Sequence, residues 1–289
     1  MNQLNLFLEL TRFKRPIGYM LLFWPCSWGL TLAYDFTSNY NLFIFYLILF
    51  FLGSVFMRSA GCIINDIADK EFDKKVSRTK NRPIASGKIS VMLGLFYAGI
   101  LCLSALLVLI NFNKLTIIFA FCSMPLAFTY PLMKRFTYWP QLFLGITFNY
   151  GLILGWISIE NEISVTPIIL YFGAIFWTLG YDTIYGYQDI NDDEIIGVKS
   201  TSIKFKNNPK KFLFICYSIT ILSYLALGQV MNFNYFFYFG ALLMVVHLFL
   251  YQLNSFKIKN IDSCLKIFKS NNSFGFIVLV FIFLGKLNI

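Results

Sequence analysis

Long apolar runs separated by short polar stretches set the pattern of this chain. Nine runs approach the roughly 20 apolar residues that an α-helix needs to cross the hydrocarbon core of a bilayer. They cover 17–35, 41–63, 91–110, 114–131, 140–158, 165–187, 211–230, 233–253 and 273–287. Pro25 and Pro125 fall inside two of them, where neighbouring helices can cover the backbone groups that a kink frees. The pattern predicts an all-α fold, a polytopic membrane bundle of about nine transmembrane helices. No linker or low-complexity break interrupts it, so residues 1–289 read as a single membrane domain.

Composition agrees with the pattern. Of the 289 residues, 58% are hydrophobic and 13% charged, against about 25% charged in a soluble domain. With 34 Phe and 17 Tyr as well, the apolar load excludes a disordered chain and a soluble globular domain. The six cysteines are scattered with no CxxC pair, which argues against a zinc or disulfide framework. His247, in the middle of the eighth run, reads as a packed histidine.

A net charge of +10 in a soluble protein would point to nucleic acid, but here the charges follow the membrane. The N-terminal segment and the second, fourth, sixth and eighth loops hold 21 of the 24 Lys and Arg. By the positive-inside rule this places the N-terminus and the long loops in the cytoplasm, facing anionic lipid. Membrane lipid is therefore the expected environment, with no nucleic-acid partner. The first residues carry neither a signal peptide nor an Arg-rich transit pattern, so the expected location is a bacterial inner membrane. No pattern in the chain bears on oligomeric state.

Nine of the fourteen Asp and Glu gather in two clusters. The first lies at the end of the second run and holds Asn65, Asp66, Asp69, Glu71 and Asp73. The second lies at the end of the sixth run, with Asp182, Tyr185, Asp189, Asp192, Asp193 and Glu194. Asn65, Asp69 and Asp73 are spaced by four, and Asp182, Tyr185, Asp189 and Asp193 by three, four and four, so a continuing helix puts each set on one face. An Asp at the centre of a span costs about 2.5 to 3.5 kcal/mol on insertion scales, and like charges one turn apart repel. Divalent cations would offset both. The donors are hard oxygens with no Cys or His nearby, which favours Mg²⁺. Two such clusters suggest two Mg²⁺ ions clamping one diphosphate, with Lys74, Lys75, Arg78, Lys80, Arg82 and Lys199 completing the anion site.

At these residues the chain resembles the UbiA family of membrane prenyltransferases. Asn65-Asp66-x-x-Asp69-x-x-x-Asp73 fits the family's first acidic motif, and Asp189-x-x-x-Asp193 its second. Further matches are Lys14-Arg15-Pro16-Ile17-Gly18, Trp24-Pro25, Arg82-Pro-Ile-Ala-Ser-Gly87, Tyr130-Pro131-x-x-Lys134-Arg135 and Phe268-Lys-Ser-Asn-Asn272. The longer second motif, from Asp182 to Ser200, looks like the branch that prenylates 4-hydroxybenzoate on the way to ubiquinone. Lys70 departs from the Arg more usual at that position, keeping the charge without the bidentate fork.

The resemblance implies Mg²⁺-dependent transfer of a polyprenyl group from an allylic polyprenyl diphosphate to the ring carbon ortho to the hydroxyl of 4-hydroxybenzoate. It implies that Asp69 and Asp73 hold one metal and Asp189 and Asp193 the other. Asn65 and Asp66 would add metal or diphosphate contacts. Arg78, Arg82 and Lys199 are the expected diphosphate donors. For the aromatic carboxylate, Arg135 is the first choice, Arg15 the second and Arg58, deep in the second run, the third. Asp182, Tyr185 and Asp192 are expected in support, either ordering the second motif or, for Asp182 and Tyr185, assisting proton loss. Two rival functions are another branch of the same family and a cation-coupled secondary transporter.

Overall fold

In the computed structural model, which describes residues 3–37, 39–258 and 260–287, every regular element is helical. A short α1 (Gln3–Leu10) precedes α2 (Ile17–Ala33), α3 (Asn41–Ala68) and a single turn, α4 (Lys70–Asp73). The chain continues through α5 (Val91–Leu109), α6 (Lys114–Thr129), a 3₁₀ turn at Tyr130–Leu132, α7 (Met133–Phe136), α8 (Pro140–Asn149) and α9 (Gly151–Glu160). After these come α10 (Val165–Gly186), α11 (Ile190–Ile196), α12 (Thr201–Lys204) and α13 (Pro209–Val230). Then α14 (Tyr235–Val245) runs into a π-helical stretch, Val246–Leu253, and α15 (Ile261–Lys286) closes the chain.

Eight segments are long and apolar enough to cross a membrane, α8 and α9 counting as one, and the shorter α2 accompanies them. This agrees with the expected bundle of about nine. The last helix starts twelve residues before the expected 273. The polar stretch Phe268–Asn272 looks like loop, yet it is helical because its amides find partners inside the bundle. Buried Asn271 accepts from Trp177 Nε1 at 2.8 Å and from Gln252 Nε2 at 3.0 Å, and Gln252 accepts from Tyr217 at 2.6 Å. Satisfied in this way, a polar side chain can stay in the core at little cost.

The tightest helix crossing, α2 on α9, depends on missing side chains. A Cβ on Gly29 would lie 1.9 Å from the Leu152 carbonyl oxygen, and one on Gly155 would lie 2.3 Å from the Cys26 carbonyl. Two asparagines stitch the end of the bundle away from the acids. Asn113 caps α6 through Thr116 N at 2.8 Å and donates to the Ile157 carbonyl at the end of α9. Asn234 caps α14 through Phe236 N and donates to the carbonyls of Leu284 and Leu287 at the end of α15. There too, Lys286 Nζ donates to the last carbonyls of α2, at 2.6 Å from both Leu32 and Tyr34, where a cation suits the helix dipole.

Candidate active site

The first acidic stripe survives a break in its helix. α3 stops at Ala68, yet Asp69 N donates to the Asn65 carbonyl at 2.9 Å and Asp73 N to the Asp69 carbonyl at 2.8 Å. The turn spacing therefore carries from α3 into α4, and Asn65, Asp69 and Asp73 stay on one face. The second stripe is interrupted instead. After α10, Tyr187, Gln188 and Asp189 make i to i+3 bonds back to Ile184, Tyr185 and Gly186. A new helix, α11, then starts with Asp189 as its N-cap residue and ends in left-handed Gly197. Asp189 and Asp193 remain one turn apart, with Asp193 N donating to the Asp189 carbonyl at 2.9 Å.

The loop after α4 joins the two clusters. Arg78 pairs with Asp189, and its Nη1 donates to the Tyr185 hydroxyl at 3.1 Å. Its guanidinium also lies over the Tyr185 ring, 5.3 Å from the centroid. One residue earlier, Ser77 N donates to Asp192 Oδ2 at 3.3 Å. Burial raises the Asp189 carboxyl above its ordinary range despite the Arg78 charge beside it. Asp193 is pushed up to about 6 by burial and by the neighbouring Asp189 charge. Two acids disfavoured in this way are poised to gain from a bound cation.

Cations hold the first cluster. Buried Asp66 accepts from Arg12 Nη2 at 2.5 Å and Arg82 Nη1 at 3.1 Å, and Arg82 also donates to Asp73 Oδ2 at 2.7 Å. Lys134 pairs with Asp69 Oδ2, which also accepts from Asn65 Nδ2 at 3.2 Å. Asp69 Oδ1 is buried without a partner. Among the described residues no three acidic, imidazole or thiol groups converge on one point.

The proposed carboxylate-binding cations separate sharply. Arg135 lies at the surface, donates to the Ala68 carbonyl at 2.8 Å and sits 5.3 Å from the centre of the Phe72 ring. Arg15 is exposed outside α2. Arg58 alone reaches the interior of the bundle. Its Nε is buried without a hydrogen-bond partner, and its guanidinium lies 5.5 Å from the Phe148 ring centre. Gly18 makes the room, since a Cβ there would come within 3.0 Å of Nε.

Two residues of the site carry no role that their sequence context signals. Lys134 lies in the Tyr130–Arg135 motif, where the resemblance favours Arg135 beside it; the helical turn of α7 directs Lys134 to Asp69. Arg12 looked like one more basic residue of the N-terminal segment, and it pairs with Asp66. Lys199 sits at the rim, its Nζ donating to the Phe136 carbonyl at 3.3 Å and lying 5.7 Å from the Tyr138 ring centre.

The UbiA prenyltransferase family model matches residues 22–280. A mitochondrial 4-hydroxybenzoate polyprenyltransferase from Bos taurus is 42% identical over 282 residues, covering 97% of this chain and 75% of that protein. The Homo sapiens enzyme of the same name is 42% identical over 285 residues, with the same coverage of each chain. Among solved structures, the apo UbiA homolog from Aeropyrum pernix K1 matches with a TM-score of 0.77 at 21% identity, over 94% of this chain and 99% of that one. A UbiA homolog from Archaeoglobus fulgidus, bound to DMAPP and Mg²⁺, matches with a TM-score of 0.67 at 17% identity, over 95% and 99%. At those identities the structural likeness establishes the fold.

These relatives correct the expected location. They are mitochondrial enzymes, which overturns the bacterial inner membrane read from residues 1–7. The alignments leave a quarter of each relative unmatched, so a missing leader pattern here has no bearing on the compartment. The multi-pass membrane character stands on the helices themselves. With 97% of its length aligned at 42% identity and the family model spanning most of its helices, the chain belongs to the UbiA prenyltransferase family.

Proposed function

We propose that this single membrane domain transfers a polyprenyl group from an allylic polyprenyl diphosphate to 4-hydroxybenzoate, at the ring carbon ortho to the hydroxyl, as its 42%-identical relatives are named for doing. The observation that carries the reading is the arrangement of charge by depth. Two acidic stripes and their cations meet at one end of the bundle through Arg78, and a lone guanidinium, Arg58, waits further in.

The acidic end fits Mg²⁺: its donors are hard oxygens, and buried Asp69 Oδ1 has no other partner. Asp69 and Asp73 with the Asn65 amide oxygen, and Asp189 with Asp193, would hold two Mg²⁺ ions, which when bound supply charge neutralisation for the leaving diphosphate. Arg78, Arg82 and Lys134 already sit among these acids and donate to diphosphate oxygens as it docks, with Lys199 at the rim. Asp66, locked between Arg12 and Arg82, positions those guanidiniums. Asp192 anchors the loop that carries Arg78.

Arg58 takes the carboxylate of the aromatic acid, since Arg135 and Arg15 are exposed at the surface and Arg58 lies inside the bundle. That anchors the ring beside Phe148 with its hydroxyl end turned toward the diphosphate. Tyr185 and Phe268, with ring centres 4.3 Å apart, line the wall near the acidic end, where their π faces favour a developing allylic cation. The polyprenyl tail lies along apolar helix faces that open to lipid.

Acceptor competition tests the assignment. Purified protein in liposomes is expected to prenylate radiolabelled 4-hydroxybenzoate in preference to homogentisate or a hydroxynaphthoate. Preference for either competitor would keep the family and move the acceptor.

A further inference from the structure

Asp182 differs from Asp66, the other acid of the two clusters that lies within a spanning helix. Asp66, also within a spanning helix, is held by two guanidiniums, and Asp69, Asp73 and Asp189 each have a cation. Among the described residues, nothing hydrogen-bonds or ion-pairs with Asp182. An acid inside a spanning helix without a structural partner points to a functional role.

Its depth indicates which role. Asp182 lies seven residues before Asp189, and Arg58 lies seven before Asn65, so both sit about two helical turns inward of the acidic end. Among the described residues the two form no ion pair with each other. One turn outward on the same face of α10, Tyr185 accepts from the diphosphate-side Arg78. Asp182 is therefore inward of the diphosphate and level with the cation that takes the aromatic carboxylate. In the pose proposed above, with the carboxylate on Arg58, the aromatic ring lies between that depth and the diphosphate.

We propose that Asp182 is the general base that removes the ring proton. The step rests on the prenyl-transfer reading above. When the new C–C bond forms, the attacked carbon carries both the prenyl group and its original hydrogen. The Asp182 carboxylate takes that hydrogen as a proton, and the C–H electron pair returns to the ring and restores aromaticity. Water at the mouth of the site then takes the proton from Asp182. Diphosphate leaves in the earlier C–O cleavage, so no other reactant is needed.

The test uses the full-length protein in liposomes with 4-hydroxybenzoate deuterated at both positions ortho to the hydroxyl. In Asp182→Asn, turnover is expected to fall on the order of 10²-fold or more. Deuterium should slow what remains, while diphosphate release continues and prenyl alcohol accumulates. Asp182→Glu, which keeps a base, should recover part of the turnover and remain deuterium-sensitive. Near-normal turnover in Asp182→Asn would overturn the proposal, and so would a loss without deuterium sensitivity, since that leaves the proton to the diphosphate or makes Asp182 structural. If Asp182→Asn does not fold, a folded but inactive Asp182→Glu overturns it equally. Failure of the wild-type protein to prenylate 4-hydroxybenzoate would instead count against the function itself.

Discussion

Arg78 binds Asp189 with one guanidinium nitrogen and the Tyr185 hydroxyl with another, reaching a helix end 111 residues away in sequence. One side chain thus sets the distance between the loop that follows the first acidic stripe and the second stripe. It also brings a fork of donors to the place where a diphosphate would meet both.

Replacing Arg78 with Ala removes a charge-assisted contact, a loss of about 1.5 to 3 kcal/mol. The expected result is a rise of roughly 10- to 100-fold in KM for the polyprenyl diphosphate, with a smaller effect on KM for 4-hydroxybenzoate. Arg78→Lys should recover only part of the loss, because an ammonium cannot hold Asp189 and Tyr185 in the same fork. Steady-state kinetics against each substrate separately would check this.

Arg58→Met is predicted to act on the other substrate. KM for 4-hydroxybenzoate should rise, while KM for the diphosphate stays nearly constant. Gly18→Ala should reproduce a milder form of the defect, since the new methyl would sit 3.0 Å from Arg58 Nε and push it aside. Arg135→Ala, at the surface, should leave the acceptor KM unchanged. A large acceptor effect from Arg135 and none from Arg58 would reverse the assignment.

Much of this site is legible in the sequence because turn spacing survives small breaks. Asn65, Asp69 and Asp73 keep their common face across the end of α3 through two backbone bonds. The stripe from Asp182 to Asp193 does not read as one helix, because three i to i+3 bonds at 187–189 reset its phase. Arg12 and Lys134 were illegible for a different reason: basic residues are expected in these loops whatever their role, and only the fold shows which ones reach an acid. The start of α15 was misplaced because hydropathy does not register that Asn271 is satisfied by Trp177 and Gln252.

Asp66 and Asp69 are three residues apart but should fail differently. Asp66→Ala leaves Arg12 without its buried partner and Arg82 with Asp73 alone, and breaking such a pair costs about 3 to 5 kcal/mol. Thermal unfolding in detergent should therefore show a clear drop in Tm alongside lost activity. Asp69→Ala removes a carboxylate held by one lysine and the Asn65 amide, and should lose activity with a much smaller change in Tm.

Asn271→Leu strands the indole N–H of Trp177 and the amide of Gln252 in the core, far along α15 from its two ends. A buried donor left unsatisfied costs about 1 to 3 kcal/mol, so this variant should lower Tm while the remaining folded protein keeps normal KM values for both substrates. Altered acceptor KM would mean that the network also shapes the acceptor site.

The account depends most on the two acidic stripes acting as one metal-dependent unit. The direct measurement is lipid-extractable product from radiolabelled 4-hydroxybenzoate, with and without Mg²⁺, for the wild-type protein, Asp69→Ala, Asp189→Ala and the double variant in liposomes. Wild-type turnover should require Mg²⁺. Each single variant should lose about as much as the double, the behaviour of groups that work together. Near-normal product from either single variant, or wild-type product formed equally well without Mg²⁺, would contradict it.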